Sequence, residues 1–219
     1  MDPGSLIPAA DAIPIAAGWF RLLLLATFIL HLLAMNAMLG GAVIALAQAL
    51  KGQGQASVPP TEQAIAVKLP FTIALTVNLG VPPLLFVQVL YGNLLYTSAV
   101  LMAACWLSIF VLAMAAYYAA YVYDFRLASM GRVRTLVIGL AVLCLLAVAF
   151  VFSNSMTLML KPTAWTAYFA NPHGTHWNLA DPTLWPRYLH FVLASLAVGG
   201  LGLAGLGSWR RRRGDRQLP

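Results

Sequence analysis

The sequence predicts an all-α, polytopic membrane protein built as a bundle of about five transmembrane helices, and three observations lead there. Of 219 residues, 61% are hydrophobic and 9% charged, against roughly 45–50% apolar and 25% charged in soluble domains. Five stretches reach the length of about 20 apolar residues that crosses a hydrocarbon layer. They are Trp19–Leu50, Leu69–Tyr91, Leu95–Tyr123, Thr135–Leu160 and Tyr188–Trp209. The acids Asp2, Asp11, Glu62, Asp124, Asp181 and Asp215 all fall at ends or in loops. Backbone polar groups in lipid must be satisfied within their own segment, so apolar stretches of this length are helices.

Taken in order, residues 1–18 carry Asp2 and Asp11, have no basic n-region and read as an outer cap rather than a cleavable signal. Residues 19–209 form the transmembrane domain. Its first loop, Gly52–Val67, is short and polar with Pro59 and Pro60. Helix 2 contains Gly80-Val81-Pro82-Pro83, and the tandem proline is expected to kink it by releasing carbonyls in mid-membrane. Cys105 and Cys144 lie alone in apolar helices and read as packing residues. The loop 161–187 is rich in aromatics (Trp165, Tyr168, Phe169, Trp177, Trp185), expected as an interfacial belt over the bundle, or as a lid or docking surface. Helix 5 carries Gly199, Gly200, Gly202, Gly205 and Gly207, a small-residue face for internal packing or for a partner helix. Residues 210–219 form a basic tail.

The formal net charge of +7 points to the membrane rather than to nucleic acid because of where it sits. With the N-terminus outside, inner segments hold Lys51, Lys68, Arg126, Arg132, Arg134, Arg210–Arg213 and Arg216, and outer ones hold Arg21, Lys161 and Arg187. The positive-inside rule then gives N-out and C-in.

Ionisable groups inside a membrane span each call for an explanation. Here they are His31 in helix 1 and His190 near the start of helix 5. A neutral imidazole offers a lone pair to iron while its other N–H is held elsewhere. With no carboxylate in the apolar cores, haem suits these histidines better than proton transfer. No Cys-x-x-Cys-His occurs, so any haem is non-covalent, b-type. Short-range zinc spacing is absent as well. His173 and His176, in the outer loop, read as surface residues.

These residues carry a family resemblance. Arg21 through His31, followed by Leu39-Gly40, resembles the first helix of subunit I of the cytochrome bd quinol oxidases. Asp181-Pro182-Thr-Leu-Trp-Pro-Arg187-Tyr188-Leu189-His190 resembles the stretch that ends in that family's low-spin haem ligand, and Gly80-Val81 with Gly92 resembles its Gly-Val through Phe-Gly spacing. Asn171-Pro172-His173-Gly174 is similar to its Asn-Pro-x-Gly. The likeness covers the first half of the family protein. It implies haem ligation by His31 and His190 in a bacterial inner membrane. Where the family carries a glutamate beside its oxygen-reducing haems this chain has Gln88, and the acid expected on helix 3 is missing from Leu107–Ala116. The later helices of the family have no counterpart here, so a self-sufficient oxygen reductase is not expected.

On a rise of about 1.5 Å per residue, His31 lies about 15 Å from Arg21, and His190 about 5 Å from Arg187. The offset favours two haems over one. Met156, with Met159 beside it, is the candidate second ligand for His190, and Arg21 and Arg187 are candidate partners of haem propionates. The expected function is a b-type cytochrome subunit passing electrons within a respiratory complex. Expected partners are lipid, a second membrane subunit or a second copy of the chain, and an outer c-type cytochrome. The alternative is a haem-free subunit that anchors or assembles a redox complex. A small transporter rests on the Pro82-Pro83 break alone and lacks charged coupling residues.

Overall fold

The computed structural model describes residues 3–13, 15–53 and 57–212. The residues of the basic tail from 213 onward therefore lie outside the described residues, as does Asp2. Among the described residues every regular element is helical. The long helices are α1 (Ala17–Lys51), α2 (Pro60–Leu101), α3 (Ala103–Arg126), α4 (Val133–Met159) and α5 (Leu184–Arg212), with short 3-10 helices at Pro3–Leu6 and Pro162–Phe169. Five helices are long and apolar enough to cross a membrane, which makes this a multi-pass membrane protein by length and composition. Side chains such as Phe71, Phe110, Met114, Leu136 and Leu201 are exposed, an arrangement that water would penalise and hydrocarbon accepts.

Contacts divide the chain into two compact units, residues 1–31, 78–112 and 147–189 in the first and 32–77, 113–146 and 190–219 in the second. Each long helix supplies a segment to both.

In the first unit the course of α2 departs from the sequence expectation. Its 42 residues would measure about 63 Å if straight, twice a hydrocarbon layer. The backbone leaves helical dihedrals at Tyr91 (φ −140°, ψ 29°) and not at the tandem proline. Proline's φ suits a helix, and what Pro82 and Pro83 remove is the two N–H donors for the carbonyls of Asn78 and Leu79. Gly92, next to Tyr91, lowers the local cost of leaving the helix. The departure at Tyr91 joins two helices across a kink, at the expected end of the second span and just before the expected start of the third at Leu95, and a second break at Met102 precedes α3 at Ala103. The groups freed there are taken up by the outer loop: Ala104 N–H donates to the Gly174 carbonyl at 3.0 Å, and His176 N–H donates to the Leu101 carbonyl at 3.1 Å. Gly174 needs its glycine twice over, for its φ of +68° and because a Cβ there would lie 3.1 Å from that of Ala103.

The outer loop is thus built into the first unit. Trp165 is buried, donates from Nε1 to the Leu158 carbonyl at 2.8 Å, and shares a core with Leu101, Met102, Cys105 and Val151. Phe150 of α4 holds Trp177, Trp185 and Tyr188 at ring-centroid distances of 5.7, 5.4 and 5.2 Å. Phe169 stays exposed.

In the second unit α1 and α5 meet backbone to backbone. A Cβ on Gly40 would overlap the Ser195 carbonyl oxygen, and one on Gly199 would lie 2.8 Å from Gly40 Cα. The glycine face of α5 therefore divides, with Gly199 used for internal packing and Gly200, Gly202, Gly205 and Gly207 open. The α3–α4 turn closes through Gly131, at φ +51°, with Ser129 and Met130 N–H groups both donating to the Arg126 carbonyl.

Candidate functional site

The sequence brings His31 to a place on α2 that has no side chain. Its imidazole lies against Gly80, so close that a Cβ there would be 2.9 Å from His31 Cε1. Farther along the same antiparallel seam Phe20 meets Phe86, with ring centroids 6.1 Å apart. Arg21 follows Phe20 on α1 and Gln88 lies two positions past Phe86 on α2, but neighbours one and two positions apart on a helix do not share a face, so of the expected site residues on these two helices His31 is the one at their contact. Arg21 is exposed and Gln88 half-buried, with neither side chain in a hydrogen bond or ion pair among the described residues.

The start of α5 is fixed by Asp181. Its Oδ1 accepts from the Thr183 N–H at 2.8 Å and from the Thr183 hydroxyl at 2.6 Å, capping the helix. Lys161 Nζ lies 3.5 Å from the other carboxylate oxygen. The Thr183 hydroxyl and N–H, with Lys161 adding to them, hold the Asp181 carboxyl below its usual pKa. This pair ties together the two ends of the outer loop. One turn into the helix Arg187 is exposed, and His190 after it is exposed too. The His190 ring meets the neighbouring Phe191 at 6.1 Å and makes no side-chain hydrogen bond among the described residues.

Met156 is half-buried near the end of α4, within a polar run that ionisable residues alone did not flag. Ser153, Asn154, Ser155 and Thr157 are buried on that last stretch of an otherwise apolar helix. Asn154 Oδ1 accepts from the Asn178 N–H at 3.0 Å, Asn178 Nδ2 donates to the Thr157 hydroxyl at 3.3 Å, and Trp106 Nε1 donates to the Ser155 hydroxyl at 3.2 Å. Asn154 Nδ2 has no hydrogen-bond partner among the described residues. Arg21, His31, Gln88, Met156 and Arg187 belong to the first unit, and His190 opens the α5 segment of the second.

The second unit holds a constellation that the sequence reading missed. Glu62, in the first turn of α2, is fully buried; its Oε1 accepts from the Tyr123 hydroxyl at 2.8 Å and pairs with Arg134 Nε at 3.2 Å. Arg134 also donates from Nη2 to the Gly52 carbonyl at 3.0 Å. Glu62 Oε2 has no hydrogen-bond partner among the described residues. Arg134, expected as a loop charge, is therefore a buried partner of Glu62. The sequence signal was Pro60-Thr61-Glu62, a proline and an acid in a first helical turn.

Imidazoles on apolar helices, with guanidinium groups about one turn (Arg187 from His190) and nearly three turns (Arg21 from His31) along the same helices, are of the donor types a b-type haem uses. Among the described residues no three His, Cys, Asp or Glu gather into a metal-binding group. No protein-family model, curated protein or solved structure matches the chain.

Proposed function

We propose that this chain is a membrane-embedded b-type cytochrome subunit that passes electrons within a respiratory complex of a bacterial inner membrane, similar to the first five helices of subunit I of the cytochrome bd quinol oxidases. The observation that carries the reading is His190. An imidazole exposed on an apolar membrane helix, with no side-chain hydrogen bond among the described residues, leaves polar nitrogens that lipid cannot satisfy. Iron satisfies one of them, and polar groups of a partner subunit can satisfy the other.

In this reading His31 and His190 ligate two haems through one nitrogen each, and Arg21 and Arg187 pair with propionates. The bound group supplies the one-electron couple. The protein sets its ligand strength through what holds each imidazole, and its access through the surrounding apolar side chains. Gln88 stands where the resemblance implies a proton-carrying acid and cannot titrate, so oxygen reduction is left to another site. Because His190 faces outward from its own helices, an iron on it lies at the chain's surface, where a second subunit or a second copy would cover it. The surviving basic residues, Lys51, Lys68, Arg126 and Arg132, favour N-out and C-in; setting Glu62 against Arg134 removes both from the count.

The experiment is a pyridine haemochrome assay with redox difference spectra on the purified chain. The reading requires a Soret band and b-type haem. Protein that purifies folded without haem supports the other reading, a haem-free anchor subunit.

A further inference from the structure

Around Asn154 the direction of each hydrogen bond is fixed by the next, and one donor is left over. Ser98 donates from its hydroxyl to the Leu95 carbonyl at 2.9 Å, so in its 3.4 Å contact with Ser155 the Ser155 hydroxyl is the donor. Ser155 Oγ accepts in turn from Trp106 Nε1 at 3.2 Å. Thr157 gives its hydroxyl hydrogen to the Asn154 carbonyl at 2.8 Å, and its oxygen accepts from Asn178 Nδ2 at 3.3 Å. Asn154 Oδ1 accepts from the Asn178 N–H at 3.0 Å.

The orientation of both amides follows. The Asn178 N–H needs an oxygen to face it, so Asn154 Nδ2 is turned away; exchanging the two atoms would set donor against donor. Thr157, its own hydrogen committed, requires Nδ2 of Asn178 in the same way. What remains is a donor, Asn154 Nδ2, fully buried and without a hydrogen-bond partner among the described residues. An acceptor remains too, since Asn178 Oδ1 makes no hydrogen bond among the described residues. Asn154 and Thr157, the two residues that Asn178 bridges, are three apart and share one face of α4. A buried amide hydrogen without an acceptor is costly, and interior polar sites of this kind are the ones that hold ordered water. Asn178 keeps 7% of its surface exposed, which places the cluster just under the outer loop.

We propose that Asn154 and Asn178 hold a buried water molecule, which accepts from Asn154 Nδ2 and donates to Asn178 Oδ1. The water completes the polar join between α4 and the outer loop that Asn154, Thr157 and Asn178 begin, all three within the first unit. The site is independent of haem and of the reading of His31 and His190.

The test is solid-state NMR on the full chain in lipid, with ¹⁵N-labelled asparagine and tryptophan, following magnetisation transfer from water protons to side-chain nitrogens. The Ser153-Asn154 and Ala164-Trp165 pairs each occur once in the sequence, so carbonyl labelling of serine and alanine assigns both residues without a variant. Trp165 Nε1 is the dry reference, buried in the same unit and bonded to the Leu158 carbonyl. With a water in contact, transfer to Asn154 Nδ2 should be at least about threefold faster than to Trp165 Nε1. Transfer as slow as to Trp165 Nε1 overturns the proposal, and the amide hydrogen is then met by something other than water. Asn154→Leu removes the donor and should slow transfer to Asn178 Nδ2 by at least about twofold; an unchanged rate takes the water away from Asn154 and overturns the site as described. Where Asn154→Leu fails to fold, the comparison within the unmutated protein decides.

Discussion

Glu62 Oε1 and Arg134 Nε face each other at 3.2 Å with both side chains withdrawn from solvent, joining the first turn of α2 to the first turn of α4. Tyr123 adds the end of α3, and the Gly52 carbonyl adds the end of α1. Four helix ends thus converge on one carboxylate and one guanidinium.

Breaking one partner of a buried pair leaves an uncompensated charge, which costs about 3–5 kcal/mol. Glu62→Ala is expected to lower stability by that order, measured by denaturant unfolding in detergent. The double variant Glu62→Leu with Arg134→Met should recover much of the loss, because well-packed apolar replacements of a buried pair are often close to neutral.

The crossing of α1 and α5 makes a second expectation. Gly40→Ala drives a methyl into the Ser195 carbonyl, a backbone atom that cannot swing aside. The cost should be about 1–3 kcal/mol. Gly200→Ala, facing open space, should stabilise its helix by a fraction of a kcal/mol up to about 1. Parallel melting curves of the two variants check the contrast.

Acid should release the outer loop. The Asp181 carboxyl, held down by Thr183 and then by Lys161, titrates below its unfolded value of about 4. Its contribution is therefore complete above about pH 4 and is lost as pH falls through the lower, folded value. Proteolysis of loop 161–183 followed against pH should show protection falling on that acid limb. Asp181→Asn should flatten the dependence, and an unchanged limb would remove Asp181 from the account.

Much of this architecture was legible in the sequence because hydrocarbon leaves few choices: long apolar stretches become helices, and five were countable. What escaped was set by single contacts. Pro82-Pro83 looked like the break in α2, yet the chain gives way at Tyr91 beside Gly92, since proline subtracts donors without forbidding helical φ. The tight meeting of Gly40 with Ser195 and Gly199 needed the pairing of two helices that no local pattern encodes. The Ser153–Ser155 run and Asn178 were visible as polar residues, but attention to ionisable groups passed over them. Glu62 looked like a loop acid because its neighbours in sequence are polar; burial came from α3 and α4. At the candidate site, the residue types His31 and His190 could be read directly, whereas the seat of His31 on Gly80 and the outward face of His190 required coordinates.

Of the expected ligands, Met156 carries its own check. Half-buried on α4 beside Ser155 and Thr157, it is the sequence's candidate for the second ligand of a low-spin haem. Met156→Ala should change that haem's spectrum and shift its potential, and an unchanged spectrum removes Met156 from the ligand set.

The most direct measurement is the reduced-minus-oxidised spectrum of the purified chain with and without His190→Ala, at matched folded protein. Loss of the low-spin b-type signal in the variant, with any His31-dependent component retained, is the predicted result. A chain that folds without a Soret band, or a His190→Ala spectrum identical to the parent, would contradict the cytochrome.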